Sequence, residues 1–239
     1  MKCLCRLCAC VVLLMPSFSF ADFSPKLNVD PHYNELGFFD IHLCNWPERP
    51  NFFKVLFSSE HFKKIASMKV YTPDDELLMQ LDKDKFIRLK RKGKAEKRVY
   101  ILDADAPDSV ATGWYRIDVK TTDGKKYQAE DYVIASRMGR VSGMQPSDDE
   151  ERVLPVTLKW KPVAGAQYYK VFVRDAWEDK IIFTSKLIGE EEVKLPDDKL
   201  QPGGYYSWAV HARDTNEHIL LGDFHMGSMS KKAFFAVAD

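Results

Sequence analysis

Tyr205-Tyr206-Ser207-Trp208-Ala209-Val210-His211-Ala212 is the stretch on which the reading of this chain turns. Taken at every second position, Tyr206, Trp208, Val210 and Ala212 form one apolar face, and Tyr205, Ser207, Ala209 and His211 form the other. A helix would scatter these two sets around its axis, whereas a strand sends successive side chains to opposite sides and separates them. The stretch from Tyr168 obeys the same rule: Tyr169, Val171 and Val173 point inward, which turns Tyr168 and Phe172 outward.

Working back towards the N-terminus, short runs rich in Val, Ile, Phe and Tyr recur with period two. Strands are expected at Phe38 to Leu43, Phe53 to Phe57, Met68 to Tyr71, Leu77 to Leu81, Phe86 to Leu89, Arg98 to Leu102, Trp114 to Lys120 and Tyr127 to Ile134. Turn signals separate them, of which Asp123-Gly124 is the sharpest, because a two-residue hairpin turn needs positive φ and glycine accepts it. Only Ser59 to Ala66 suggests a helix, of about two turns. The expected class is all-β: two tandem antiparallel sandwiches, at residues 22–137 and 153–239, joined by a linker at 138–152 where Gly139, Gly143 and Pro146 interrupt the alternation.

Residues 1–21 read as a secretory signal peptide: basic Lys2 and Arg6, an apolar run from Leu7 to Met15, then small residues at Ser19 and Ala21. The apolar run is too short to span a bilayer, and no later stretch is long enough. Cys3, Cys5, Cys8 and Cys10 leave with the leader, so Cys44 stands alone in the mature chain and no intrachain disulfide can form. It is expected as a small buried hydrophobe rather than a reactive thiol. Acidic and basic residues balance at 35 each in the full chain, which argues against nucleic-acid binding. The expected location is a periplasm or the cell exterior, with peripheral envelope association open.

From Leu154 onward the chain resembles a fibronectin type III domain. Val156-Thr157-Leu158-Lys159-Trp160, followed by Pro162 and Gly165-Ala166, looks like the family's second strand with its core tryptophan. Leu200, Pro202, Gly204, Tyr206, Val210 and Ala212 match the spacing around its corner tyrosine. The resemblance implies that Tyr206 bonds to backbone at the corner between two sheets, and that Gly204, where the family usually has threonine, loosens that corner. Gly113 to Val119, leading into Asp123-Gly124, looks like an immunoglobulin-like sandwich.

Several residue sets could carry function. Tyr168, Phe172, Tyr205 and His211 share an outward face if their two strands pair, as the resemblance implies; Trp177 stands in a polar turn nearby. Such a surface either binds a partner or is covered by the first module or by Asp214 to Ser230. The basic run that includes Lys90, Arg91, Lys92 and Lys94 reads as a polyanion site or as a solvated hairpin that discourages edge pairing. Asp103, Asp105 and Asp108 could offer oxygens to calcium, or simply be solvated turn formers. His32, His42, His61, His211, His218 and His225 show no metal-ligand spacing, so no metal and no cofactor are expected.

No nucleophile elbow, phosphate loop or dinucleotide fingerprint is present. The expectation is a non-enzymatic exported binding or scaffold protein with a protein or glycan partner. Its rivals are a small glycan-active hydrolase, whose carboxylates need no local motif, and a subunit of a cell-envelope complex.

Overall fold

A computed structural model describes residues 30–90, 92–215 and 224–239. The first half supplies β1 (Tyr33–Asn34), β2 (Gly37–Asn45), β3 (Pro50–Ser59), β4 (Ile65–Tyr71), β5 (Leu77–Leu81), β6 (Ile87–Leu89), β7 (Lys97–Asp105), β8 (Gly113–Thr121) and β9 (Lys126–Val133). They form two antiparallel layers, β5-β4-β8-β9 and β2-β3-β7-β6. Between the layers lie the alternate residues that the period-two pattern selects, among them Phe39, Ile41, Val55, Phe57, Met68, Val70, Ile117 and Val119. Each such side chain contributes about 1.5–3 kcal/mol by leaving water. The Asp123-Gly124 turn joins β8 to β9, with Gly124 at φ 86° and its N–H donating to Thr121 O at 3.0 Å. The helix expected at Ser59 to Ala66 shrinks to one 3-10 turn, Phe62–Lys64, because Ser59 already belongs to β3 and Ile65 opens β4.

The second half supplies β10 (Glu150–Arg152), β11 (Thr157–Lys159), β12 (Tyr168–Asp175), β13 (Lys180–Thr184), β14 (Glu192–Lys194), β15 (Tyr205–Arg213), β16 (Met226–Met229) and β17 (Ala233–Val237). The β11-β14 pair faces a layer ordered β13-β12-β15-β17, which is the fibronectin type III-like arrangement. Trp160, Tyr206 and Trp208 are all buried in its core. The Tyr206 hydroxyl accepts the Gln201 N–H at 2.8 Å, and the Trp208 indole N–H donates to Pro146 O at 2.9 Å. The expectation that Gly204 loosens the corner is reversed by its geometry. A Cβ there would run into the Tyr206 hydroxyl and ring, so glycine is what lets the ring lie against the backbone.

Residues 138–152, expected as the linker, lie packed along the second half. Met138 and Val141 are buried with the second core, and Gln145 exchanges both backbone hydrogen bonds with Lys159 at 2.8 Å. β10 then runs parallel to β17. The alternation fails there because the pairing comes in short pieces broken by Gly143 and Pro146, and those pieces cover edges that would otherwise stay open.

One strand joins the halves. β16 pairs antiparallel with the far end of β15 (His211 opposite Met229, Arg213 opposite Gly227) and parallel with β2 (Met226 opposite Leu43, Ser228 opposite Asn45). The layer of the second sandwich therefore continues into the layer of the first. This parallel pairing lies outside the purely antiparallel pattern expected from the sequence.

Candidate functional site

The structure divides the expected aromatic face into two regions. Around Tyr205 it is open. Asp175 accepts the backbone N–H groups of Trp177 at 2.9 Å and Glu178 at 3.0 Å, a local turn that holds the Trp177 indole out at 79% exposure. That indole leans on Tyr205 with 5.6 Å between ring centroids, and Tyr205 stacks on Phe234 at 5.9 Å and 20°. The Tyr205 hydroxyl donates to Asp149, and this bond pushes the phenol pKa up from 10, since ionisation would place two negative charges side by side. Phe172 is half-buried on the same layer, opposite Ala209 and Thr184. Phe234 was not among the expected residues. Its signal was available in Ala233-Phe234-Phe235-Ala236-Val237, where Phe235 takes the core and Phe234 must face out.

Around His211 the face is closed. Tyr168 pairs opposite Arg213 at this end, and His211 is only 6% exposed, so the two do not join Tyr205 and Trp177 in one surface. The cover comes from the first half. Phe39, Ile41 and Leu43 of β2 enter the first core, which turns Phe38, Asp40, His42 and Cys44 to the opposite side. There they would meet solvent in an isolated sandwich, yet His42 is 3% and Cys44 1% exposed. The His211–Arg213 end of β15, together with Phe224, lies against them around a cavity of about 400 Å³.

The electrostatics of this cavity follow from its bonds. His42 Nδ1 lies 3.1 Å from Asp40. Burial by itself would lower the His42 pKa, but the Asp40 carboxylate, through charge and hydrogen bond, with a smaller push from Cys44, raises it from 6.5 to about 10. His42 is therefore an imidazolium at neutral pH. Arg213 Nη2 donates to His211 Nδ1 at 3.0 Å. An arginine has no lone pair to offer, so Nδ1 is the acceptor and the ring proton sits on Nε2. Burial, then the Arg213 charge and the neighbouring cations, hold the His211 pKa well below 6.5 and keep it neutral. Lys54 and Lys97 complete the cationic wall, Lys54 also meeting Asp103 at 2.8 Å and lying over the Trp46 ring at 5.4 Å.

The remaining candidates fall elsewhere. Lys90, Lys92 and Lys94 are exposed beside the turn between β6 and β7; Arg91, the leader expected at 1–21 and His218 lie outside the described residues. Asp103 and Asp105 face cations instead of each other, Asp103 meeting Lys54 and Asp105 meeting Arg49 at 2.7 Å, while Asp108 is exposed on the loop beyond. Among the described residues no three His, Cys, Asp or Glu side chains are grouped to hold a metal, and no helix is long and apolar enough to cross a membrane. His32 has one ring nitrogen at 2.8 Å from Asp30 and the other at 3.0 Å from Asp131, which also accepts the Ile41 N–H; it ties β9 to β2.

No family model and no curated protein matches the chain. Among solved structures it is similar to the FN1–FN3 segment of chicken CNTN1, at 13% identity and a TM-score of 0.32, covering 85% of this chain and 65% of that one. It is also similar to a two-domain fibronectin type III segment of chicken tenascin, at 15% identity and a TM-score of 0.31, covering 82% of this chain and 95% of that one. The fibronectin type III-like character of the second half rests on its strand order and on the Tyr206 corner, not on these distant likenesses.

Proposed function

We propose that this is an exported, non-enzymatic binding or scaffold protein that meets a protein or glycan partner through the open aromatic end of the β13-β12-β15-β17 layer. In this reading residues 1–21 are removed on export to the periplasm or beyond, and residues 22–137 and 153–239 act as two sandwich modules. The observation that carries it is the Trp177-Tyr205-Phe234 row, whose outermost ring is held into solvent by its own turn. A folded chain gains nothing for its core by exposing an indole. At a binding surface the same ring supplies large contact area at small entropy cost, and such residues dominate interface energies. Asp149, bonded to Tyr205, and Asp175, beneath Trp177, add acceptors at the rim.

The hydrolase reading has less support. It needs two carboxylates facing each other across a groove at about 5–9.5 Å, and among the described residues that line the cavity the one carboxylate, Asp40, is already bonded to His42. The test uses the full mature chain, immobilised and exposed to envelope extract and to a glycan array, beside Trp177→Ala and Tyr205→Ala. Loss of the same bound species in both variants, with unchanged unfolding curves, supports the aromatic end. Retention of that species by both variants overturns it.

A further inference from the structure

We propose that the β6–β7 hairpin is a docking surface for an anionic lipid bilayer, which it meets with an exposed apolar strip and with lysines at both ends of β6. Residues 82–98 hold nine basic side chains against three acidic ones, in a chain whose two signs balance at 35 each. Part of that excess is used locally. Lys83 meets Asp84 at 3.5 Å, Arg88 and Arg98 both meet Glu96 at 3.8 Å, and Lys97 is engaged as well. Lys85, Lys90, Lys92 and Lys94 are exposed, and among the described residues none of the four pairs with an acidic side chain. Lys85 stands just before β6 and the other three follow it along the turn into β7. Like charges gathered without local partners attract an anionic surface that comes within a Debye length.

The apolar strip lies on one parity of the same strands. Ile87 and Leu89 share a face of β6, opposite Val99 and Lys97 of β7, and Ile101 follows Val99 on that face, opposite Leu56 of β3. Ile87 is 53% and Leu89 42% exposed, and Ile101 is exposed beside them. On the opposite parity the Arg98 guanidinium lies over the Phe62 ring at 4.0 Å and the Phe86 ring at 3.9 Å, and both rings pack against the first core. The strip and the lysines are thus presented together by a ribbon pinned to the sandwich. An acidic polysaccharide would match the lysines and leave Ile87, Leu89 and Ile101 in water. A strand added by a partner would find only the three residues of β6 to pair with, flanked by lysines that oppose such pairing. A bilayer with anionic headgroups matches both features, since apolar side chains enter the headgroup boundary while lysine heads stay among the charges.

This surface shares no residue with the Trp177-Tyr205-Phe234 row, and vesicles test it without the partner proposed there. The full mature chain is sedimented with vesicles of phosphatidylcholine alone and with vesicles of phosphatidylcholine and phosphatidylglycerol in equal parts, and its retention on heparin resin is measured in parallel. Binding is expected to the mixed vesicles only, and it should weaken as salt is raised, because salt screens exposed charges. A lysine near an anionic membrane contributes about fivefold in partition, so the triple substitution Lys90→Glu, Lys92→Glu and Lys94→Glu should lower vesicle binding about a hundredfold or more. The pair Ile87→Ser and Leu89→Ser should weaken it about tenfold or more while leaving heparin retention unchanged. All five positions are exposed, so both variants should unfold close to the parent midpoint. Absence of binding to the mixed vesicles overturns the proposal, and heparin retention would then point to a polysaccharide. Equal binding to both kinds of vesicle, or undiminished binding by the Ile87→Ser, Leu89→Ser chain, overturns it too.

Discussion

β15 is one strand with two fates. Tyr205 and His211 lie on the same outward parity, roughly 20 Å apart along an extended chain. At the Tyr205 end the lateral neighbour is β17, and the outward rings of Tyr205 and Phe234 are half-buried beside the exposed Trp177. At the His211 end the lateral neighbour is β16, which also pairs with β2, and the outward side chains are covered. Outward parity therefore says which side of a sheet a residue takes but not whether water reaches that side.

The largest effect that would break this contrast is expected from Phe224→Ala. Phe224 packs on His42 and His211 and lies under the Arg213 guanidinium at 4.8 Å, so its loss should cost about 3–5 kcal/mol in urea unfolding. Tyr205→Ala at the open end should cost less than about 1 kcal/mol under the same conditions. Similar losses at the two ends would mean that both are equally buried in solution.

The two cavity histidines should next appear as opposite limbs of a stability-against-pH curve. The pKa of His42 rises on folding to about 10, so its contribution is complete below pH 6.5 and is lost as pH climbs towards 10. His211 has its pKa lowered on folding, so its contribution is present above pH 6.5 and falls away as pH drops. Each limb should slope by at most about 1.4 kcal/mol per pH unit for a one-proton link. His42→Gln should flatten the alkaline limb and His211→Gln the acid one; a curve unchanged by both would remove the paired-histidine account.

Gly227→Ala probes the strand that closes the cavity. A Cβ there would lie 2.6 Å from both His211 Nε2 and a Phe224 ring carbon, and overpacking of this kind costs about 1–3 kcal/mol. The smallest stability effect belongs to Trp177→Ala, within about 0.5 kcal/mol, because its ring is mostly in water. The same substitution should nevertheless cost partner binding about 2 kcal/mol or more if the open end is the interface.

Much of the fold was legible without coordinates. Leu77 to Leu81 is read to the residue, and the other strands expected in the first half are met within a few positions at their ends, while β1 was not expected. The inward set of β15 and the corner role of Tyr206 follow from parity and spacing. The aromatic site was half legible. Tyr205 and Trp177 were expected separately and are found in contact, Phe234 went unnoticed, and His211 and Tyr168 belong to the other end. Cys44 was expected buried, but Asp40 and His42 gave no warning, because a polar residue on the outward side of a strand reads as solvated.

Period two and turn chemistry act between residues a few positions apart, and so the amino-acid sequence alone determined the strands, their inward faces and the two cores. Which outward faces stay wet was decided by a contact between residues far apart in the chain, Met226 to Ser228 laid beside Leu43 to Asn45. Cover of that kind depends on the summed docking of two sandwiches, and no local pattern in either segment encodes it.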